Sequence, residues 1–221
     1  MLVLASASPR RRDLLAQAGY EFRVLPAEIC EDLHPGERPI PYVLRLARAK
    51  AEAVAASSEF QTLAAAQPHD PALIPPLILG ADTTVVAPGG EILLKPEDDA
   101  DAARMLRALS GATHQVITGV AVLIPGPAKP IVEVAAEVTH VTVLSLTSDE
   151  IAAYIATGEP HGKAGAYAIQ GRFARFIPRI HGDYFNVVGL PLALVGSMIE
   201  GAQQHRSAEE TVRALLSAQD A

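Results

Sequence analysis

The sequence has no tryptophan, one cysteine and only 5% aromatic residues among its 221. The single thiol, Cys30, excludes an internal disulfide and a cysteine-rich zinc site. No uninterrupted apolar run reaches the ~20 residues of a membrane span. The first apolar stretch is short and is followed by arginines, unlike a secretory leader. Basic residues are in deficit, with a formal charge of −7, which argues against a nucleic acid held through a general basic surface. The expectation is a cytoplasmic protein, with neither a membrane nor a nucleic-acid partner, whose basic residues act locally. Apolar residues are plentiful, at 49%, enough to offset the entropy of ordering one large domain or two small ones.

Periodicity and turn signals predict a strand over 2–5, a helix over 9–18 and an extended piece near 21–25. A helix over 40–56 follows. Residues 57–76, rich in Ala, Gln and Pro, read as a surface insertion without helix or strand. A strand over 77–87 follows, then a Pro-Gly-Gly turn, a short strand over 91–94 and a helix over 98–109. Strands over 114–124 and 135–146 alternate well and are expected to pair antiparallel. Thr147 and Glu150 form a capping box that opens a helix over 148–156. Residues 159–172 are glycine-rich and irregular, and a strand is expected near 173–180. A helix over 191–204 and a separate tail helix over 208–219, opened by Ser207 and Glu210, end the chain. The pattern is α/β with a mixed, partly antiparallel twisted sheet and flanking helices. The chain divides into one domain over 1–204 and a tail over 205–221.

The stretch LASASPRRRDLL, residues 4–15, raises a question of charge. Ser8 suits an N-cap and Pro9 the first helical position. Three arginines then crowd a helix end that is already positive, at ~0.3–1 kcal/mol each. Free N–H groups, the hydroxyls of Ser6 and Ser8, and the inward-leaning Arg10 and Arg11 describe an anion site best suited to phosphate. The plain alternative is a solvated basic turn held by Asp13.

Lys50 falls in the middle of an apolar helix face formed by Tyr42, Val43, Leu46, Ala47, Ala53 and Val54, with Arg45, Arg48 and Glu52 opposite. It must snorkel, pair with an acid or meet a ligand. Asp82 interrupts the apolar strand LILGADTTVVA. A lone charge there needs a cation, donors or a shifted pKa, so it reads as a metal ligand or general base. Thr83 projects to the opposite face. Glu31, Asp32 and Lys95 are weaker candidates. The glycine-rich loop with Lys163 and Gln170 misses the Walker spacing, but its glycines allow close backbone approach and Gln170 offers an amide pair to a base edge. Together these residues suggest a nucleotide, and carboxylates beside phosphates imply Mg²⁺.

At these residues the sequence resembles the Maf family of nucleoside triphosphate pyrophosphatases. The matching pieces are LASASPRRRDLL at 4–15, ICE at 29–31, YVLRLARAKA at 42–51, LGADTTVV at 79–86, LLKP at 93–96, LSGATHQVITGVAV at 109–122, and GKAGAYAIQG with YFNVVGLPL within 162–192. The resemblance implies a fold similar to the inosine triphosphatases, two lobes around a cleft, often as a homodimer. It also implies hydrolysis of a nucleoside triphosphate to monophosphate and pyrophosphate with a divalent metal, Mg²⁺ or Mn²⁺. Carried over, Asp82 is the proton acceptor. Glu31, Lys50 and Lys95 line the triphosphate and metal site, with Asp82 and Glu31 as metal ligands. Ser8, Arg10 and Arg11 grip phosphate, while Arg10, Thr83 and Gln170 bear on substrate choice. Ser6 and Lys163 complete the substrate-binding set. The GADT and KAGAYAIQG forms look like the dTTP/UTP branch, which extends to modified pyrimidine nucleotides. The alternatives are a 7-methyl-GTP pyrophosphatase and a nucleotide-binding regulator of cell division with little turnover.

Overall fold

The computed structural model describes residues 1–66, 76–126 and 129–219, with 206–219 as backbone only. Among the described residues seven strands form one mixed sheet. They are β1 (Leu2–Ala5), β2 (Phe22–Val24), β3 (Leu77–Val86), β4 (Ile92–Leu93), β5 (Thr113–Ile124), β6 (Ile131–Thr142) and β7 (Arg179–His181). The order is β2-β1-β3-β5-β6-β7, with β4 on the far end of β3. The β1 strand is parallel to β2 and β3, and every other pair is antiparallel. The expected α/β class with a mixed sheet is what the chain forms.

The helices cover both faces. On one face lie α2 (Pro39–Ala56) and α3 (Ser58–Ala65), whose Ala47, Ala51, Val54 and Phe60 pack on Val3, Ile78, Ala121 and Leu123. On the other lie α1 (Pro9–Gln17), α6 (Tyr184–Val188) and α7 (Leu192–Gln219), contributing Leu14, Leu15, Val188, Val195 and Ile199 against Leu4, Leu79 and Val122. A second apolar core gathers α4 (Asp99–Leu109), α5 (Ser148–Ile155) and two 3-10 turns around Val85, Val116 and Val141.

Two close approaches set where α2 sits. A Cβ on Gly80 would collide with Ala47 O, and one on Gly119 with Val43 O. Because both positions are glycine, the helix backbone lies directly on β3 and β5.

The β1 strand ends at Ala5, opposite Gly80, whereas β3 continues to Val86. Asp82 and Thr83 therefore lie beyond the carboxyl end of a parallel strand, where one β3 edge is uncovered. Open α/β sheets hold ligands at such places.

Several boundaries differ from the sequence expectation. Residues 58–65 form α3, capped by Ser57 and anchored by buried Phe60, so the first part of 57–76 is core-packed rather than a surface insertion. Residues 67–75 lie outside the described residues. The expected separate tail helix is instead one continuous α7 from Leu192 to Gln219. With no Gly or Pro between 202 and 219 to break it, the capping signal at Ser207 falls inside the helix. The strand expected near 173–180 forms only at its end, as β7 over Arg179–His181; residues 172–176 are a 3-10 turn, because Phe173 and Phe176, three apart, both enter the second core. The β6 strand starts at Ile131 rather than 135, in register with the full length of β5.

Candidate active site

A cavity of about 640 Å³ opens at the end of β1. It gathers Ser6, Ser8, Arg10, Arg11, Glu31, Lys50, Asp82, Thr83, Lys95, Lys163 and Gln170 from six separate stretches. Every sequence-derived candidate lines this one space. The structure gives them unequal environments.

The β1–α1 turn is built as its sequence suggests. Ser8 is extended and its hydroxyl accepts from Arg11 N, while Ser6 Oγ accepts from Ser8 N. Arg10 and Arg11 then diverge. Arg11 is buried, and its guanidinium donates to Gly189 O (2.8 Å), Ser6 Oγ (3.1 Å) and Thr83 Oγ1 (3.0 Å). Thr83 Oγ1 also lies 2.9 Å from Thr118 Oγ1, and Thr118 donates to Asn186 O. Arg11 is therefore the head of a buried polar chain joining α1, β3, β5 and α6. Three of its five N–H donors are thus engaged within the protein. Burial lowers its pKa, partly offset by the charges of Asp82 and Glu31. Its contacts are neutral, so its positive charge is left for an anion to meet.

Arg10 has neither hydrogen bond nor ion pair among the described residues. Burial lowers its pKa. Lys163 is also lowered, first by burial and then by the charge of Arg10. A lysine whose charge is opposed both by burial and by a neighbouring arginine marks a place where added negative charge is favoured.

The carboxylates face the opposite side. Lys50 does not snorkel. Its Nζ lies 2.6 Å from Asp82 Oδ1 and 2.7 Å from Glu31 Oε1. Lys95 Nζ lies 3.1 Å from Glu31 Oε2, so Glu31 bridges two lysines. Burial opposes ionisation of Glu31, but the hydrogen bonds and charges of Lys50 and then Lys95 outweigh it and hold its carboxyl below the ordinary range. Asp82 and Lys50 are both buried, and Oδ2 of Asp82 has no hydrogen bond among the described residues.

The glycine-rich loop is fixed from behind. Tyr154 Oη donates to Glu159 Oε1 and accepts from Ala168 N, Glu159 Oε2 accepts from Arg172 N, and Lys163 Nζ donates to Glu159 O. Tyr167 packs beneath the loop with Oη 2.8 Å from His114 Nε2. Gln170 is exposed at the rim.

Among the described residues no group of three or more His, Cys, Asp or Glu could hold a metal. Asp82 on β3 and Glu31 on the segment before α2 supply hard oxygens, with Lys50 between them as counter-charge. A divalent ion that arrives on phosphate oxygens needs only one or two protein carboxylates. The residues fit such an ion, rather than a permanently occupied cage.

Residues 1–202 match the family model described as Maf-like protein. The chain belongs to the Maf family. Curated relatives include a dTTP/UTP pyrophosphatase of Koribacter versatilis, 52% identical over 91% of this chain and 94% of that one. A dTTP/UTP pyrophosphatase of Moorella thermoacetica is 50% identical over 90% and 93%, and one of Geobacter sulfurreducens is 50% identical over 88% and 92%. The Maf resemblance carried by the short motifs thus extends across the whole cavity lining.

The sequence reading missed several residues around the site. Tyr42 and Arg45 touch the segment bearing Glu31, Gly189 receives Arg11, and Glu159 organises the glycine loop. The spacing of Tyr42 and Arg45, three apart on one helix, was the only available signal.

Among the described residues no helix is long and apolar enough to cross a membrane.

Proposed function

We propose that the chain hydrolyses nucleoside triphosphates, dTTP and UTP first among them, to the monophosphate and pyrophosphate. One observation carries this reading. A single cavity sets unneutralised cations (Arg10, Arg11, Lys163) against a carboxylate pair held by Lys50. The polyanion and the attacking water need different surroundings, and the two walls supply them. A cavity of this size admits a nucleotide. The names of the relatives support pyrimidine triphosphates as the substrates.

Arg10 and Lys163 neutralise phosphate oxygens, with the buried charge of Arg11 behind them. Asp82 orients the water and takes its proton at Oδ2. Water oxygen bonds to the α-phosphorus as the bond from that phosphorus to the bridging oxygen breaks. Pyrophosphate leaves with the bridging oxygen, and Lys50 and Lys95 balance the charge it carries. Asp82 and Glu31 are the residues that hold a divalent metal, Mg²⁺ or Mn²⁺, which when bound supplies charge neutralisation on the phosphates. Gln170 presents its amide to the base edge. Cytoplasmic residence and a homodimer belong to the same proposal and rest on the family likeness.

The test is pyrophosphate release from dTTP, UTP, CTP, 7-methyl-GTP, GTP and ATP with Mg²⁺ or Mn²⁺, with Asp82→Asn alongside. Release from dTTP and UTP, reduced ~10²–10⁴-fold in the variant, is expected. Tight nucleotide binding with no release from any of them would overturn the reading in favour of a nucleotide-binding regulator.

A further inference from the structure

Glu31 lies in residues 25–38, which contain no helix or strand. It nevertheless accepts from two lysines at once. A carboxylate on irregular backbone holds such an alignment only if its main chain is fixed, and the fixing groups come from α2.

Tyr42 Oη donates to Glu31 O at 2.9 Å. Arg45 Nη2 donates to the next carbonyl, Asp32 O, at 3.0 Å. The same guanidinium grips Glu37 through Nε and Nη2, both at 2.7 Å. Glu37 Oε2 in turn accepts from His34 N. Arg45 also lies over the Tyr42 ring, 5.5 Å from its centroid, and Tyr42 itself is buried. Ile29 packs on the cluster that contains Tyr42. The segment is therefore pinned before, at and after Glu31.

We propose that Arg45, acting with Tyr42 and Glu37, is a positioning residue that holds the Glu31 carboxylate in line with Lys50. This rests on the proposed function, in which Glu31 serves the reaction. One helix then governs both ends of the residue: Lys50 meets its side chain while Tyr42 and Arg45 fix its backbone. Exposed ion pairs contribute little in general, but this one is bidentate and the Glu37 side chain is only 9% exposed. The fork is essential because a lysine could not reach Glu37 and Asp32 O with the same planar group. A carboxylate displaced by ~1 Å can cost up to ~10²-fold in rate.

The test is a double-mutant cycle of Arg45→Gln and Glu31→Gln on the full chain, read as kcat/KM for pyrophosphate release from dTTP. Arg45→Lys and Tyr42→Phe complete the set. A nitroxide on Cys30, the only cysteine and next to Glu31, reports motion of the segment. The expectation is a ~10–100-fold loss in Arg45→Gln, no rescue by Arg45→Lys and a more mobile nitroxide. No further loss is expected when Arg45→Gln is added to Glu31→Gln, because Arg45 acts through Glu31. Equal losses in both backgrounds would overturn the proposal and make Arg45 a general support of the fold. Full activity of Arg45→Gln beside an inactive Glu31→Gln would also overturn it, leaving the reading of the site intact. Full activity of Glu31→Gln would remove Glu31 from the reaction and overturn both.

Discussion

Lys50 Nζ lies 2.6 Å from Asp82 Oδ1, yet the two residues come from elements that meet backbone to backbone. Gly80, two residues before Asp82, faces the carbonyl of Ala47, three before Lys50. The missing Cβ at Gly80 is what lets the ammonium reach the carboxylate.

Gly80→Ala is therefore expected to damage both stability and activity. The new methyl meets main-chain atoms of α2, which cannot swing aside as a flexible side chain would. A loss of ~3 kcal/mol is expected, at the upper end for overpacking, together with a lower kcat as α2 lifts and carries Lys50 away. Gly89→Ala is the control, since nothing lies within 4 Å of its Cβ position. Urea unfolding and pyrophosphate release measure the two effects. A stable, fully active Gly80→Ala protein would separate helix placement from the site.

The acid side of the pH–rate profile tests the lysine bridge. Burial pushes the Glu31 carboxyl up, while Lys50 first and Lys95 second pull it down, with a net lowering. Removing either lysine raises the pKa. The acid limb of kcat/KM should move to higher pH in Lys95→Met, and further in Lys50→Met, whose residual activity is lower. Limbs that do not move would mean that ionisation of Glu31 does not limit the reaction.

The two adjacent arginines should separate cleanly. Arg11→Lys keeps charge but loses a fork that meets Gly189 O, Ser6 Oγ and Thr83 Oγ1 at once. Buried acceptors are left unpaired, at ~2–3 kcal/mol, which for a chain of this size lowers Tm by ~5–10 °C. Arg10→Lys breaks no hydrogen bond among the described residues. It should leave Tm unchanged and raise KM for the triphosphate. Thermal melts with steady-state kinetics on both variants decide this. An Arg10→Lys protein that melts early would give Arg10 a structural role.

Much of this site was legible in sequence because its residues break local rules. Asp82 stands out as one carboxylate in an apolar, β-branched strand, and Lys50 as one cation on an apolar helix face. Ser8 and Pro9 announce the helix whose start carries the arginines. What pairs with what was not legible, because it depends on contacts far apart in the chain. Arg11 meets Gly189, 178 positions away. Lys50 of α2 joins Asp82 of β3 to Glu31 of the irregular 25–38 segment. Periodicity reports which side of a helix is apolar and nothing about hydrogen bonds at its edge, so Tyr42 read as plain core and Arg45 as solvent-facing. The α3 helix was masked by the prolines that follow it, although Ser57 is an ordinary N-cap. The 3-10 turn at Phe173 and Phe176 has a period of three, which a strand reading overlooks.

His114 gives the fold its own pH dependence. Its ring is 1% exposed, Nε2 bonds Tyr167 Oη, and Nδ1 has no partner among the described residues. Burial lowers its pKa from 6.5 to about 4, so it is neutral in the folded protein under ordinary conditions. The unfolded chain takes up that proton as pH falls below about 6.5. Stability from this group is complete above that value and is lost progressively as pH falls to about 4, by ~3 kcal/mol in all. His114→Gln removes the titration and retains a polar group for Tyr167. Its stability is expected to be lower than wild type at pH 7.5 but to fall less steeply between pH 6.5 and 4. Urea unfolding across that range measures both slopes. Parallel slopes would assign the acid sensitivity to other groups, whereas a flatter one in the variant places it at the histidine beneath the glycine loop.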